Sequence, residues 1–324
     1  MTSLPPLNPA GLPAVLIEAF SGKPHHGNGA AVVLLSTPMA PEGMQAVAGS
    51  LRQSETAFLL PWQGAWLLRW FTPTCEVPLC GHATLAAVLA LGHWQLIEAG
   101  EAVRLLSRSG PLPSLCLKTP RLARAGLGWI EIPGGALLKA ERPVLLERLL
   151  DEFLGCAPLA FWRSALGYAV ALLPEDAPLA EMACLADDLD DDLGTGLVLM
   201  QAVARTPEQL AGLRSAEALA ELDDLEAQAD YRLRFFAPRL GIREDPVTGS
   251  AHALVARWWQ ERLGQARVVG WQCSDRPGGV VSEGGGSGMI RLTGKGVLLW
   301  DGHLKVQPPA CSGASGWRLA DQDP

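Results

Sequence analysis

Two stretches of the sequence decide the fold, namely RWFTPTCEVPLCGHATLAA at residues 69–87 and RFFAPRLGIREDPVTGSAHAL at residues 234–254. Each begins with Arg-x-Phe-x-Pro and continues through a loop. After a short insertion in the second stretch, Gly-His-Ala at 81–83 matches Gly-Ser-Ala at 249–251. Internal similarity of this kind indicates a duplicated structural unit. We therefore predict two related domains, each with a strand, a proline turn, a loop and an apolar helix that opens with Gly.

The sequence around these stretches alternates predicted strands with predicted helices, which favours a mixed α/β or α+β fold. Residues 83–97 are strongly apolar, so this predicted helix should be buried on most sides, inside a sheet or barrel. Residues 107–128 are rich in Pro, Gly and Arg and predict the domain boundary. We place the domains at 1–122 and 123–324, with the last strand or tail as a candidate for packing back on the first domain.

The composition limits the classes of protein that the chain can represent. Hydrophobic residues make up 48% and charged residues 19% of the 324 residues, which suits a sizeable core and excludes a mostly disordered chain. The formal net charge is −8 without any basic block, which argues against a nucleic-acid partner. We recognise no export signal, and the most apolar run is shorter than the ~20 residues of a membrane span. A cytoplasmic protein without a membrane partner is expected.

Neither the cysteines nor the histidines predict a metal site. The seven cysteines are odd in number, widely spaced and without a CxxC pair, which favours reduced thiols over disulfides or zinc ligands. The adjacent pair His25-His26 lacks a third ligand at a suitable spacing.

The two helix starts are the candidate sites for chemistry. A helix N-terminus presents free backbone N–H groups and the positive end of the helix dipole, and a Gly there lets a ligand approach closely. Such termini could bind a small carboxylate or stabilise a developing enolate. His82, Ser250 and Asp245 carry side chains at these starts. Ser250 and Asp245 could instead only cap the helix, although DPVTGS contains more special residues than a cap needs.

The segments GNGAAVVLL, SETAF, FTPTCEVPLCGHATLAA and EDPVTGSAHAL, in this order, resemble the PhzF-like family of phenazine biosynthesis. This family is related to diaminopimelate epimerases and proline racemases. The resemblance implies two pseudo-symmetric domains, each a curled, mostly antiparallel sheet or barrel around a central helix, with the active site between them. It agrees with the duplication inferred from the residues.

The resemblance also implies the site residues and the reaction. From composition alone, Glu55 is an unremarkable carboxylate at the entry of a strand. By its place in SETAF, the resemblance makes Glu55 the acid and base that moves a proton on a small carboxylic acid, without a metal or other cofactor. The remaining implied residues are His82, Asp245 and Ser250 as further catalytic residues and Cys80, Gly81, Thr248 and Gly249 as substrate-binding residues.

One departure from the related enzymes leaves alternatives open. The epimerases and racemases use two cysteines, one before each helix-opening Gly. Cys80 stands at the first of these positions, whereas the second loop offers Asp245 and Pro246 but no cysteine. A two-thiol mechanism is therefore disfavoured. An amino-acid epimerase or racemase that uses Glu55 or Cys80 remains an alternative, as does a non-catalytic protein that binds a small carboxylate or a partner. A homodimer is expected by analogy alone.

Overall fold

The computed structural model describes residues 11–121, 124–204, 215–221, 225–305 and 317. Within them the chain is a mixed α+β protein with few helices. The strands are β1 Leu12–Ala19, β2 Asn28–Leu34, β3 Glu55–Trp62, β4 Ala65–Phe71, β5 Glu76–Val77, β6 Ala102–Ser107, β7 Gly110–Lys118, β8 Gly126–Pro133, β9 Leu137–Lys139, β10 Ala160–Ser164, β11 Tyr168–Leu172, β12 Gly196–Ala202, β13 Tyr231–Phe236, β14 Arg267–Gln272, β15 Gly278–Gly284 and β16 Met289–Leu304. The helices are α1 Pro41–Leu51, α2 Gly81–His93, α3 Val144–Leu154, α4 Ala216–Ala220 and α5 Gly249–Leu263.

Contacts between residues divide the chain into two compact units. Of the described residues, the first unit holds those in 11–25, 29–131 and 295–317, and the second holds those in 26–28 and 132–294. The chain therefore passes from one unit to the other within strands β8 and β16. Among the described residues, no helix has the length and apolarity needed to cross a membrane.

Eight strands of the first unit form a closed barrel. Their order is β1-β2-β3-β4-β6-β7-β8-β16, and β16 closes the ring by pairing antiparallel with β1. Helix α2 packs against β1, β3 and β7, and all of its residues except His93 are buried. The wall approaches it closely, because a Cβ atom at Gly296 would lie 2.5 Å from Cδ1 of Leu89. The predicted buried helix within a barrel is confirmed.

The second unit repeats the strand pattern of the first. Strands β2, β3, β4, β6 and β7 are joined by parallel, antiparallel, parallel and antiparallel pairings in turn. Strands β11, β12, β13, β14 and β15 follow the same sequence of pairings. Helix α5 follows β13 as α2 follows β4 and β5, and it packs against β9, β14 and β15. The duplication predicted from the two quoted stretches is therefore confirmed.

Each copy holds its pre-helix loop by the same buried ion pair. Arg69 binds both carboxylate oxygens of Glu76 at 2.7 Å, and Arg234 binds both oxygens of Glu244 at 2.7 and 2.6 Å. Both arginines are almost fully buried. Each guanidinium also lies over the Phe two residues along the strand, at 5.4 Å in the first unit and 5.1 Å in the second. This explains why Arg-x-Phe recurs in both stretches.

The stretch predicted to hold the domain boundary, residues 107–128, contributes strand β7 and the start of β8 to the barrel. It contains strand β7, in which Pro111 and Pro113 alternate with buried side chains. Both prolines pair only with β6, because β8 pairs with β7 from Ser114 onward. Proline is tolerated at such a position because no second strand requires its missing N–H. The predicted domain boundary, at residues 122 and 123, lies outside the described residues.

Trp317 is the last described residue and lies against the first unit. Its indole Nε1 donates a hydrogen bond to the carbonyl oxygen of Met39 at 3.1 Å, and its ring lies 5.3 Å from the guanidinium of Arg69. The indole is almost fully buried. Trp317 therefore packs over the guanidinium of the ion pair in the first unit.

The core of the second unit contains a buried histidine. Nδ1 of His252, in α5, lies 2.9 Å from the Tyr231 hydroxyl, and the Trp259 ring stacks on Tyr231 with centroids 5.1 Å apart. Burial lowers the pKa of His252 from 6.5 to about 3. The folded protein therefore holds this imidazole neutral over the whole range in which an unfolded chain would protonate it.

We expect the Arg234–Glu244 pair to contribute strongly to the stability of the fold. The Arg234→Met variant leaves the Glu244 carboxylate buried without its partner and should lower the free energy of unfolding by about 3 kcal/mol or more. Chemical denaturation measures this change. The matched control is Arg243→Met, because Arg243 forms its ion pair with Asp187 at the surface and should change stability little. Equal effects of both variants would contradict the structural role of the buried pair.

We also expect His252 to make stability depend on pH. Its folded pKa lies below its unfolded pKa, so the unfolded state binds the extra proton between about pH 6.5 and 3. The free energy of unfolding should therefore fall as pH is lowered through this window, by about 1.4 kcal/mol per unit between pH 5.5 and 4.5. Urea titrations of the wild type and of His252→Asn measure the difference. Parallel pH profiles for the two proteins would contradict a neutral buried His252.

Candidate active site

The first unit brings together three side chains that are far apart in the sequence. Glu55 is the first residue of β3, Cys80 is the N-cap of α2, and His82 is the second residue of that helix. All three are buried, with 7%, 7% and 3% of their surface exposed. One ligand atom from each lies within 4.8 Å of the others. The structure thus unites predicted residues Glu55, Cys80 and His82 beside Gly81 at the start of α2.

His82 is at the centre of this cluster. Its Nε2 atom lies 2.9 Å from Oε2 of Glu55 and 3.3 Å from Oγ of Ser54. The Sγ atom of Cys80 lies 3.5 Å from Nδ1 and 3.8 Å from Nε2 of the same ring. Oε2 of Glu55 is therefore a buried carboxylate oxygen whose polar neighbour is the His82 imidazole. Sequence analysis missed Ser54, whose only signal was its position beside Glu55 in SETAF.

The protonation of the cluster follows from its burial and its charges. Burial raises the pKa of the Cys80 thiol to about 11, and the negative charge of Glu55 adds to this effect. Burial by itself disfavours a charged imidazole, but Cys80 as a thiolate and the Glu55 carboxylate outweigh it and raise the pKa of His82 well above 6.5. The Glu55 carboxylate, 2.9 Å from Nε2, is the group of opposite charge that favours a charged imidazole at His82.

The second unit holds a cluster around Asp245 at the start of α5. Oδ1 of Asp245 accepts a hydrogen bond from Nδ2 of Asn28, and Oδ2 accepts one from Oγ1 of Thr248, both at 2.6 Å. The side chain of Gln272 donates to the carbonyl oxygen of Asp245 at 2.5 Å and accepts the N–H of Thr248 at 2.8 Å. Both carboxylate oxygens of Asp245 are therefore engaged in holding the loop before α5.

Two partners of Asp245 were not identified from the sequence. Asn28 lies in the quoted GNGAAVVLL segment, so its position next to a glycine turn was a signal that could have identified it. Gln272 lies at the end of β14, in a strand without any recognisable pattern. Its role depends entirely on the parallel pairing of β13 with β14, and no sequence signal pointed to it.

Ser250 and Gly249 lie in the first turn of α5. Gly249 is the first residue of the helix and Thr248 is its N-cap, so Ser250 does not occupy the cap position. The N-cap side chains of α2 and α5 make no capping hydrogen bond. The Ser250 hydroxyl lies 3.2 Å from the hydroxyl of Tyr168, which packs against Phe235. Tyr168 is a further polar group at this helix start that the sequence analysis missed.

The chain is similar to several known proteins. The family described as phenazine biosynthesis-like protein (PhzC-PhzF) matches residues 17–302. An uncharacterized isomerase of Pseudomonas aeruginosa is 34% identical over 290 residues, which cover 90% of this chain and 97% of that protein. The crystal structure of a PhzF-family phenazine biosynthesis protein from Enterococcus faecalis is 26% identical, with a TM-score of 0.72 over 90% of this chain and 98% of that chain. A probable proline racemase from Agrobacterium radiobacter is 13% identical, with a TM-score of 0.60 over 95% of this chain and 99% of that chain, and shares the fold.

We expect Asn28 to stabilise the loop before α5 through Asp245. Asn28→Leu keeps the approximate volume but removes the donor to Oδ1 of a buried carboxylate. The free energy of unfolding should fall by about 1.5–3 kcal/mol, the range for hydrogen bonds to charged groups. Thermal or chemical denaturation measures this change. The control is Gln265→Leu, which removes a side-chain amide outside this cluster. If the two variants are equally stable, Asn28 does not hold Asp245.

Proposed function

The chain belongs to the phenazine biosynthesis-like family, and we propose that it is an isomerase that moves a proton on a small carboxylic acid. In this proposal Glu55 removes a proton from carbon and returns it elsewhere on the same substrate. The single observation that supports it most is the buried contact of 2.9 Å between the Glu55 carboxylate and the His82 imidazole.

The environment of Glu55 suits a proton acceptor. Its carboxylate is more than nine-tenths buried, and its Oε2 atom lies 2.9 Å from the His82 imidazole. Proton transfer by a positioned carboxylate is a standard form of general acid–base catalysis. The raised pKa of His82 keeps a positive charge beside the reacting group, where it would stabilise negative charge that develops on the substrate.

Cys80 argues for one base rather than two. With a pKa of about 11, its thiol keeps its proton at neutral pH and is a poor proton acceptor. At the corresponding N-cap of α5 stands Thr248, which cannot serve as a thiol acid. Inversion of a stereocentre needs an acid and a base on opposite faces of the carbon. A transfer between two carbons of a short allylic system needs only one group that reaches both.

In the second unit, we assign anion binding to the start of α5. The amide of Gly249 and the hydroxyl of Ser250 are the groups proposed to bind a carboxylate, because an uncharged helix start favours anions. Asp245 acts in this proposal as a positioning residue, since both of its carboxylate oxygens already accept hydrogen bonds. The cytoplasmic location, the homodimer and the independence from cofactors remain predictions.

We expect Glu55→Gln to abolish proton transfer while the protein stays folded. The variant keeps the size of the side chain but removes the proton acceptor, so the rate should fall by about 100-fold or more. The measurement is NMR detection of deuterium uptake by a panel of small unsaturated and α-amino carboxylic acids in deuterated water. The control is Glu42→Gln, an exposed position in α1. Near-wild-type exchange by Glu55→Gln would refute the assignment, and no exchange by the wild type would favour a binding protein.

We expect Cys80→Ala to remain within about tenfold of the wild-type rate, because a protonated thiol is not the base. The product should carry deuterium at the new C–H position and keep part of the original hydrogen if Glu55 is shielded from solvent. NMR of the same reactions checks both points. If Cys80→Ala is as inactive as Glu55→Gln and deuterium appears at an inverted stereocentre, the epimerase alternative is the better account.

A further inference from the structure

We propose that Glu55, Cys80 and His82 form a binding site for a zinc-like divalent transition-metal ion, and that this ion inhibits the protein. Binding of the ion is independent of the proposed isomerase function. Only the inhibitory consequence rests on that function, because the ion would bind the carboxylate that is proposed to accept the proton. The ion is an inhibitor in this proposal, so the reaction itself still needs no metal.

The three side chains lie close enough together to share one ion, with one donor atom of each within 4.8 Å of the others. Zinc binds nitrogen and oxygen at about 2.0 Å and sulfur at about 2.3 Å, which places adjacent donors about 3.3–3.5 Å apart in a tetrahedron. Nε2 of His82 is 2.9 Å from Oε2 of Glu55 and 3.8 Å from Sγ of Cys80. These two donor pairs are each within about half an ångström of the tetrahedral spacing, a difference within the reach of small side-chain rotations.

The chemistry of the donors selects the class of ion. A thiolate and a neutral imidazole bind Zn²⁺ and its neighbours in the first transition row, whereas Mg²⁺ and Ca²⁺ prefer oxygen ligands only. Binding of the ion therefore releases the proton of the Cys80 thiol and one proton of a charged His82 to solvent. Three protein ligands leave a fourth position open, as in zinc sites that retain an exchangeable ligand. Among the residues that the structure describes, these three are the one group of His, Cys, Asp and Glu side chains arranged for a shared ion.

The burial of the Glu55 carboxylate also favours a cation at this place. Its side chain is more than nine-tenths buried, and its Oε2 atom is paired with the His82 imidazole at 2.9 Å. A metal ion between Glu55, Cys80 and His82 would replace the imidazole proton as the positive partner of this carboxylate.

The spacing in the sequence did not reveal this site. Cys80 and His82 are separated by one residue, which matches no common zinc pattern, and Glu55 comes from a different strand. Only the closed barrel, which holds the start of β3 beside the start of α2, brings the three donors together.

The binding test uses the full chain and cobalt as a spectroscopic probe. After chelation and dialysis, addition of Co²⁺ to the wild type should give a 1:1 complex with a thiolate-to-cobalt charge-transfer band and intense tetrahedral absorption in the visible region. Cys80→Ser keeps the side-chain volume and should lose the charge-transfer band. In competition experiments it should bind Zn²⁺ at least about tenfold more weakly than the wild type. Circular dichroism verifies that the variant is folded.

Cys75→Ser is the matched control, because Cys75 is an exposed thiol in the same loop. This variant should keep the charge-transfer band and the wild-type affinity for Zn²⁺. The metal site is overturned if the wild type binds no stoichiometric Co²⁺, or if the band persists in Cys80→Ser. A band that is lost in Cys75→Ser but not in Cys80→Ser would overturn it as well.

The inhibition test uses deuterium exchange on any acid that the wild type accepts. One equivalent of Zn²⁺ should reduce the exchange rate at least about tenfold, and EDTA should restore it. Undiminished exchange by protein that carries the ion would overturn the inhibitory part of the proposal. The cobalt spectrum needs no substrate, so it decides on the metal site even if Glu55→Gln shows that the proposed proton transfer is wrong.

Discussion

The rest of the structure depends on one constraint, the enclosure of helix α2 by a closed barrel. A closed sheet has no free edge, and an apolar helix within it is covered on every side. Twelve of the thirteen residues of α2 are buried, so almost the whole helix packs against its surroundings. Polar chemistry is therefore restricted to an end of the helix. It is at the start of α2 that Cys80 and His82 meet Glu55, the first residue of a barrel strand.

Each loop that leads into a central helix is held by a buried ion pair, an interaction with a large desolvation cost. Burial of an ion pair costs the hydration free energy of both charges. The attraction between the charges offsets this cost only when their geometry is good. The pairs Arg69–Glu76 and Arg234–Glu244 both meet that condition by two-point contacts. Each glutamate lies five residues before the Gly that opens its helix. We interpret the pairs as the devices that fix where each helix begins, and thus where its terminal groups lie.

The two helix starts have the same backbone plan but different chemistry. In the first unit, burial raises the pKa of the Cys80 thiol and the Glu55 carboxylate favours a charged imidazole at His82, and the proposed proton transfer rests on this environment. In the second unit, Asp245 is occupied by Asn28 and Thr248, which is an environment for holding a loop in place. The duplicated units thus have similar helix starts, and the side chains that differ between them give each start a different chemical environment. The inferred metal site belongs to the first of these starts because only there do soft donors and a carboxylate meet.

The sequence by itself determined the duplication, the buried central helix and the presence of Glu55, Cys80 and His82 in motifs of one family. Repeated motifs and an apolar run are local patterns, so they can be read without knowing which strands pair. It did not reveal strand β7 at Gly110–Lys118, because whether a strand tolerates Pro depends on whether a second strand needs its N–H. It also could not reveal Gln272, Tyr168 or the partners of Asp245. Those contacts, and the 2.9 Å approach of His82 to Glu55, were decided by tertiary structure, because they join segments that only strand pairing and barrel closure bring together.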